Sequence, residues 1–239
     1  MMHTRQVVRI RITAGGQAGG VFVASSTLSF YRFQCAPCSE HTGIGKVTPL
    51  IPNNRRSTIA LGNFANGTAD SKLPTAANMN ELRWDCELES SAYKYAKSCS
   101  LTKSDPSTRP DVGEGVFIMV GNNTAKSMVV QALSNWWTDL MQHGLQGLTF
   151  TKAYEDSITH DPWAQSAWAK TTKIGCYMQN CPPSSSFVPF MDFLVCRYSK
   201  RGNIIGEPIY LVGPTCSKCG IGYTCIASGH YKGLCSPLP

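Results

Sequence analysis

Eleven cysteines in a chain of 239 residues constrain this protein more than any other feature. With 42% hydrophobic and 15% charged residues, the chain can bury a core of its own. Very small domains need disulfides merely to fold, but a chain of this length does not. The cysteines therefore report a compartment, because disulfides persist in oxidising surroundings and are rare in the cytosol. Two sequons, Asn66-Gly67-Thr68 and Asn122-Asn123-Thr124, lie in polar stretches that read as surface loops and point the same way. Together these features predict a secreted, extracellular, disulfide-stapled glycoprotein. Zinc held by thiolates is the rival reading. Cys35-x-x-Cys38 and Cys216-x-x-Cys219 have zinc-ribbon spacing, yet they lie at opposite ends of the chain and leave seven cysteines unexplained.

Residues 1–34 carry Arg5, Arg9, Arg11 and Arg32 and no acid, the first acid being Glu40. Val21-Phe22-Val23-Ala24-Ser25-Ser26 is too short and polar for the apolar run of a secretory signal. An Arg-rich, acid-free start also fits a transit peptide, and the cysteines and sequons stand against that. The segment reads best as a mispredicted start or a non-native extension, and it is left unassigned. No stretch approaches the roughly 18 uninterrupted apolar residues of a membrane span. The formal net charge of +7 is spread along the chain, which fits solubility better than nucleic-acid binding. Neither a Gly-rich phosphate loop after a strand nor a G-x-S-x-G elbow is present.

The order of elements predicts an α+β fold. Residues 53–62 read as a short helix closed by Gly62. After a Gly- and Asn-rich loop to Pro74, Thr75 is placed to cap a long helix to about Cys99, with Met79, Leu82, Cys86 and Tyr93 on one face. Residues 100–112 are a polar loop. A third helix spans about Ala125 to His143, where Val129, Leu133, Trp136 and Leu140 form a buried stripe and Gly144 ends it. Lys173–Met178, Phe190–Tyr198 and Ile204–Tyr210 read as strands of a small antiparallel sheet. Cys216 to Cys235 holds four cysteines and little apolar content, which predicts a lobe closed by two bridges.

The segment Phe193-Leu194-Val195-Cys196-Arg197-Tyr198-Ser199-Lys200-Arg201-Gly202-Asn203-Ile204 resembles the second signature of the CAP superfamily, which contains cysteine-rich secretory proteins, antigen 5 and plant pathogenesis-related proteins. Only Lys200 stands where another residue type is usual. Trp163-Ala164-Gln165-Ser166-Ala167-Trp168-Ala169-Lys170-Thr171 resembles the first signature. Arg55–Gly62, Thr171–Cys176 and Cys216-Ser217-Lys218-Cys219 are most similar to the activation-associated secreted, or venom-allergen-like, proteins of parasitic nematodes. The resemblance covers about residues 50–239. It implies an α-β-α sandwich over residues 35–212 and a cysteine-rich hinge lobe over 213–239.

The resemblance also implies a central cavity into which two histidines and two acids point, able to hold a divalent metal. Neutral imidazoles suit zinc, and carboxylates orient a bound water. By register, Pro52 and Pro162 stand where the histidines belong, and proline offers no ligand atom. Glu114 and Asp139 match the two acids. The carboxylates thus remain without the imidazoles, and no metal or other cofactor is expected. His160, two positions before Pro162, is the one candidate to swing into the cavity. His143 reads as a surface residue favoured by the helix dipole, and His3, His41 and His230 lie outside the core pattern. The bland reading of Glu114 is a structural anchor that accepts backbone hydrogen bonds. That of Asp139 is an exposed helix residue.

Without Ser-His-Asp or Cys-His machinery, the expectation is a non-catalytic effector that binds a host protein or cell-surface receptor in immune or haemostatic modulation. The alternative is a lipid, sterol or small-ligand carrier that uses the cavity. A protease is disfavoured by the missing histidines, and a channel blocker by the lack of a further cysteine-rich domain. The family register assigns Cys86, Cys99, Cys176, Cys181 and Cys196 to the main domain and Cys216, Cys219, Cys225 and Cys235 to the lobe. An odd count leaves one cysteine over, expected to be Cys35 or Cys38.

Overall fold

The computed structural model describes residues 45, 48–68, 70–157, 160–183 and 190–238. The N-terminal extension, His3, Cys35, Cys38 and His41 lie outside them, as do the side chains of Asp139 and His160. The described residues belong to one compact unit, Phe33–Pro239.

The elements run α1 (Leu50–Ala60), β1 (Arg83–Trp84), α2 (Cys86–Ala96), β2 (Gly113–Val120), α3 (Ala125–His143), α4 (Lys152–Glu155), α5 (His160–Ala167), β3 (Lys173–Cys181), β4 (Met191–Ser199), β5 (Tyr223–Cys225) and β6 (Cys235–Pro237). The main sheet has the order β1-β3-β4-β2. Its pairs are antiparallel except β1, which lies parallel to β3. Helices α1, α3 and α5 pack on one another, with α3 and α5 against the sheet, and α2 covers the opposite face through β3 and β4. This is an α-β-α sandwich.

Strand alternation builds both cores. On β4, Leu194, Cys196 and Tyr198 face the three-helix layer, while Phe193 and Val195 face α2 with its Ala92 and Ala96. An inner strand buried on both faces has no need of alternating polarity, hence the run Phe193-Leu194-Val195-Cys196. On α3, Met128, Val129, Ala132, Leu133, Trp136, Trp137 and Leu140 are buried. Thr124 caps this helix by accepting the Ser127 N–H (3.2 Å), and Gly144 ends it at φ +70°. At Gly175 a Cβ would come within 2.7 Å of Asp85 O and Leu88 C, so glycine lets the start of α2 cross β3 closely.

Three expectations need correction. The long helix from Thr75 does not form; the helix begins at Cys86, capped by Asp85, whose carboxylate accepts from Glu87 N and Leu88 N at 3.0 Å. The N–H groups of residues 75–83 are committed elsewhere: Ala77 to Leu211 O (2.8 Å), Asn80 to Ala169 O (3.2 Å), Glu81 to Cys235 O (2.8 Å) and Arg83 to Thr172 O (2.9 Å). A helix would need those donors for its own i−4 carbonyls. The buried face of α2 is accordingly Leu88, Ala92 and Ala96, and Tyr93 is exposed. Ile204–Tyr210 is irregular, with one bridge, Thr149 to Pro208. In its place Gly113–Val120 supplies the strand beside β4.

Four disulfides join described residues: Cys99–Cys181, Cys176–Cys196, Cys216–Cys225 and Cys219–Cys235. Cys86 is disulfide-bonded as well. The last two bridges close the β5–β6 lobe. The only described group of His, Cys, Asp or Glu with metal-ligand spacing is Cys216, Cys219 and Cys235. Their sulfurs are in bridges, which leaves no thiolate for zinc.

Candidate functional site

Arg56 and Asn53 of α1 set the frame for the site. Asn53 pairs with the Leu82 backbone like a strand neighbour: its Nδ2 donates to Leu82 O and its Oδ1 accepts from Leu82 N, both at 2.8 Å. Fully buried Arg56 donates to Asn80 O (2.7 and 2.9 Å), Ser166 O (2.9 Å), Trp168 O (3.0 Å), Ala169 O (3.3 Å) and Thr171 O (3.1 Å). It thereby satisfies Ser166 O in the last turn of α5, which has no helical partner, and ties the chain that follows it to Asn80. Burial pulls this guanidinium down to about 9, against the opposing influence of Tyr198.

The two signatures meet through hydrogen bonds. Gln165 of α5 accepts the Gly202 N–H (2.9 Å) and donates to Thr171 Oγ1 (3.2 Å), which donates to Lys200 O (2.8 Å). Asn203 Nδ2 donates to Asp161 O (2.7 Å) and Asp161 Oδ1 (2.8 Å). Gly202 lies flat on Trp168, where a Cβ would approach the ring to 2.6 Å.

These contacts wall a cavity of about 170 Å³ bordered by Lys103, Arg109, Glu114, Asp161, Gln165 and Arg201. Glu155, Arg201 and Asn203 are shared with a wider groove of about 820 Å³ that also includes Trp168, Ile204 and Ile205. Pro162 borders a neighbouring hollow with Lys103 and Asp161.

Glu114, at the start of β2, is buried and fully engaged. Its Oε1 accepts from Ser104 N (2.7 Å), and Ser104 Oγ lies at 3.2 and 3.1 Å from the two oxygens. Arg197 Nη2 is 3.0 Å from Oε2 and Arg109 Nε is 3.7 Å from Oε1. Burial lowers the pKa of both arginines, while the Glu114 charge opposes it. Asp161 forms an ion pair with Lys103. Burial and then the Arg109 charge pull the Lys103 ammonium down to about 8, against Glu114 and Glu155. Pro52 is buried in the first turn of α1 and Pro162 in that of α5. Asp139 lies on α3 and His160 opens α5, both without described side chains. His143 is exposed, and His230 lies in the lobe. Asn122 is exposed, whereas Asn66 is half-buried.

Sequence reasoning missed Lys103, Ser104, Arg109, Arg197 and Asp161 as members of this site. Arg197 carried a usable signal, because a charge inside a buried strand demands a buried partner. The others sit in segments without periodicity.

The fold and cavity define a disulfide-stapled α-β-α scaffold with a charged central pocket and a bridged C-terminal lobe. Residues 52–198 match the CAP family, the cysteine-rich secretory protein family, and the chain belongs to it. "Ancylostoma secreted protein" of Ancylostoma caninum is 31% identical over 193 residues, covering 78% of this chain and 42% of that protein. The chain thus spans less than half the length of that relative. The solved structure "NaASP2 with Zn2+" is 33% identical with TM-score 0.66, covering 80% of this chain and 95% of the other. "Hookworm Platelet Inhibitor" shares the fold, with TM-score 0.61, 24% identity and coverage of 82% and 91%.

A divalent cation does not fit the described side chains of this cavity. Glu114 is held by two guanidiniums, and Asp161 is paired with Lys103. The buried Nε and Nη1 of Arg197 and the indole N–H groups of Trp137 and Trp163, all without described partners, are donors rather than ligands. Each unit of cation charge brought to about 4 Å from a fixed positive group would meet about 4 kcal/mol of repulsion at an effective dielectric of about 20.

Proposed function

We propose that this chain is a secreted, non-catalytic CAP protein that binds a host protein or cell-surface receptor, as a nematode effector of immune or haemostatic processes. The carrying observation is the engagement of the cavity's two buried carboxylates by internal partners. Glu114 is bound by Ser104, Arg109 and Arg197, and Asp161 by Lys103 and Asn203. A general base or nucleophile must reach a reacting atom, and these carboxylates are turned towards guanidinium, ammonium, amide and hydroxyl groups of the chain itself. Function on such a scaffold rests with surface and loops. Support also comes from a relative named as a secreted protein and from the shared fold of a platelet inhibitor. The test is a saturation-binding screen of the purified chain against platelets, leukocytes and their isolated receptors. The expected result is one specific, saturable partner, and its absence overturns the reading.

A second reading, a lipid or sterol carrier, is favoured by one feature. The groove of about 820 Å³ joins Trp168 to the exposed Ile204 and Ile205, with charged residues such as Lys170, Arg201 and Glu207 along its walls, a size suited to a small amphipathic ligand. Lack of saturable binding of a fluorescent sterol and of a fatty acid removes this reading.

A further inference from the structure

We infer that Cys225 in the C-terminal lobe is a thiol-exchange site: it takes on a small acidic thiol as a mixed disulfide while Cys216 passes to a second sulfur. The inference stands apart from the proposed host partner and from the cavity. Of the four bridges between described residues, Cys216–Cys225 is the one with an exposed member, Cys225. Cys176, Cys181, Cys196 and Cys235 are buried, and each of the other three bridges contains at least one of them. Exchange begins when a thiolate reaches a disulfide sulfur, so access selects Cys225. The incoming thiolate bonds to Cys225 Sγ, the Cys216–Cys225 bond breaks, and Cys216 leaves as the thiolate. Cys216 then has a target at hand, because its Sγ lies within 4.8 Å of the sulfurs of both Cys219 and Cys235. Attack on the Cys219–Cys235 bond gives Cys216–Cys219 with a Cys235 thiolate, or Cys216–Cys235 with a Cys219 thiolate. One thiol is consumed and one is released, so the step needs no oxidant or reductant besides the thiol itself. It also removes Cys216 as the group that would expel the adduct from Cys225. Between Cys216 and Cys235 the lobe carries Lys218 and Lys232 and no acid. Positive surroundings favour the thiolate and draw an anionic thiol over a cationic one. Backbone bonds from Cys235 N to Met79 O (2.7 Å) and from Lys218 N to Ala77 O (2.8 Å) hold the lobe to the sandwich while its sulfurs change partners.

The test exposes the full oxidised chain briefly to reduced glutathione, quenches with acid and maps the cysteines by non-reducing peptide mass spectrometry. Glutathione should appear first on Cys225, together with a new Cys216–Cys219 or Cys216–Cys235 bond, while Cys99–Cys181 and Cys176–Cys196 stay closed. No adduct, a first adduct on another cysteine, or an adduct beside a free Cys216 and an intact Cys219–Cys235 bond each overturns the inference. At equal thiolate concentration and low salt, glutathione should react roughly fourfold faster than the cationic thiol cysteamine, the factor for reversing a unit charge about 10 Å from one lysine in water. Equal rates, or a preference that survives Lys218→Glu/Lys232→Glu, overturn the choice of an acidic thiol. A variant that needs no added thiol isolates the relay. Cys225→Ser leaves Cys216 without its bridge partner, and the chain should then carry a mixture of bonds among Cys216, Cys219 and Cys235. A lone Cys219–Cys235 bond with Cys216 free overturns the relay.

Discussion

The sandwich and the C-terminal lobe are held by different forces. In the sandwich, Trp137, Trp163, Trp168, Phe193 and Tyr198 are closed from water within two cores on either face of the sheet. In the lobe, Leu234 and Cys235 are buried, while Ile221 and Leu238 stand exposed. The lobe has little apolar area to bury, so its order comes from Cys216–Cys225, Cys219–Cys235 and backbone bonds to the sandwich. Cys235 donates to Met79 O (2.7 Å), Lys218 N donates to Ala77 O (2.8 Å), and Ser57 Oγ donates to Lys232 O (2.6 Å). The difference shows why one chain can need both a core and staples. In the sandwich Cys99–Cys181 and Cys176–Cys196 add to a core that burial already fixes, whereas in the lobe crosslinks hold what is too small to bury itself.

The largest effect should come from the sandwich. Trp137 is fully buried, with Phe64 at 5.5 Å and Trp163 at 5.9 Å between ring centroids. Trp137→Ala should cost about 3–5 kcal/mol, read as a lower midpoint in urea with loss of protection throughout the sheet. A change confined to α3 would break the idea of one shared core on that face.

Next is the lobe. Cys219→Ser/Cys235→Ser removes a bridge spanning 16 residues, a loop for which chain entropy predicts about 3 kcal/mol. The distribution of the loss is the sharper readout. Amide exchange at Glu81, which donates to Cys235 O, and at Cys235 should rise, while β3 and β4 amides stay protected. Uniform loss across the sheet would mean that the staple supports the sandwich too.

This division also decides what was legible in the sequence. The stripe on α3 was readable because it buries one face at the helical period, and the strand around Cys196 because a short continuous apolar run reads as a strand buried on both faces. The strap at residues 75–82 was not. Its Met79 and Leu82 are buried as a helix would bury them, yet partners distant in sequence take its N–H groups. Gly113–Val120 was passed over because Val116 and Ile118 pack towards α2 while Phe117 and Met119 pack towards α3. With both faces apolar, no alternation remains to be seen. In the site, Gln165 and Asn203 were legible through the two signatures. The Lys103–Asp161 pair was not, because it joins an irregular loop to the first turn of α5 only after folding.

A smaller effect lies where strap, sheet and helix meet. Asp85 caps α2 and pairs with Lys173 at 2.8 Å. Burial acts to raise its pKa, but hydrogen bonds from Lys173 and from the Leu88 and Glu87 backbone hold it below its ordinary 3.8. A depressed acid stabilises the fold fully above its unfolded pKa and loses that contribution as pH falls through the folded value. Asp85→Ala should therefore cost about 1 kcal/mol near pH 7, and the deficit should shrink below pH 3.8. A deficit unchanged in acid would mean that the charge plays no part in the cap.

The smallest effect concerns the sandwich surface, where the two sequons part. Asn122 is exposed, and Thr124 of its sequon caps α3. Asn66 is half-buried: its Oδ1 accepts the Leu145 N–H at 2.6 Å, and the adjoining Gly67 is buried against Gly144. A glycan needs open space around the amide nitrogen, which Asn122 has and Asn66 lacks. Expressed through a secretory pathway, the chain should carry sugar on Asn122 alone. Asn122→Gln should remove it with a stability change below about 0.5 kcal/mol. Asn66→Gln should leave glycosylation unchanged yet cost about 1 kcal/mol through the lost Leu145 bond. Peptide mapping that finds a glycan on Asn66 would show that the 63–68 loop opens away from α3, and the sandwich surface would then be less closed than its core.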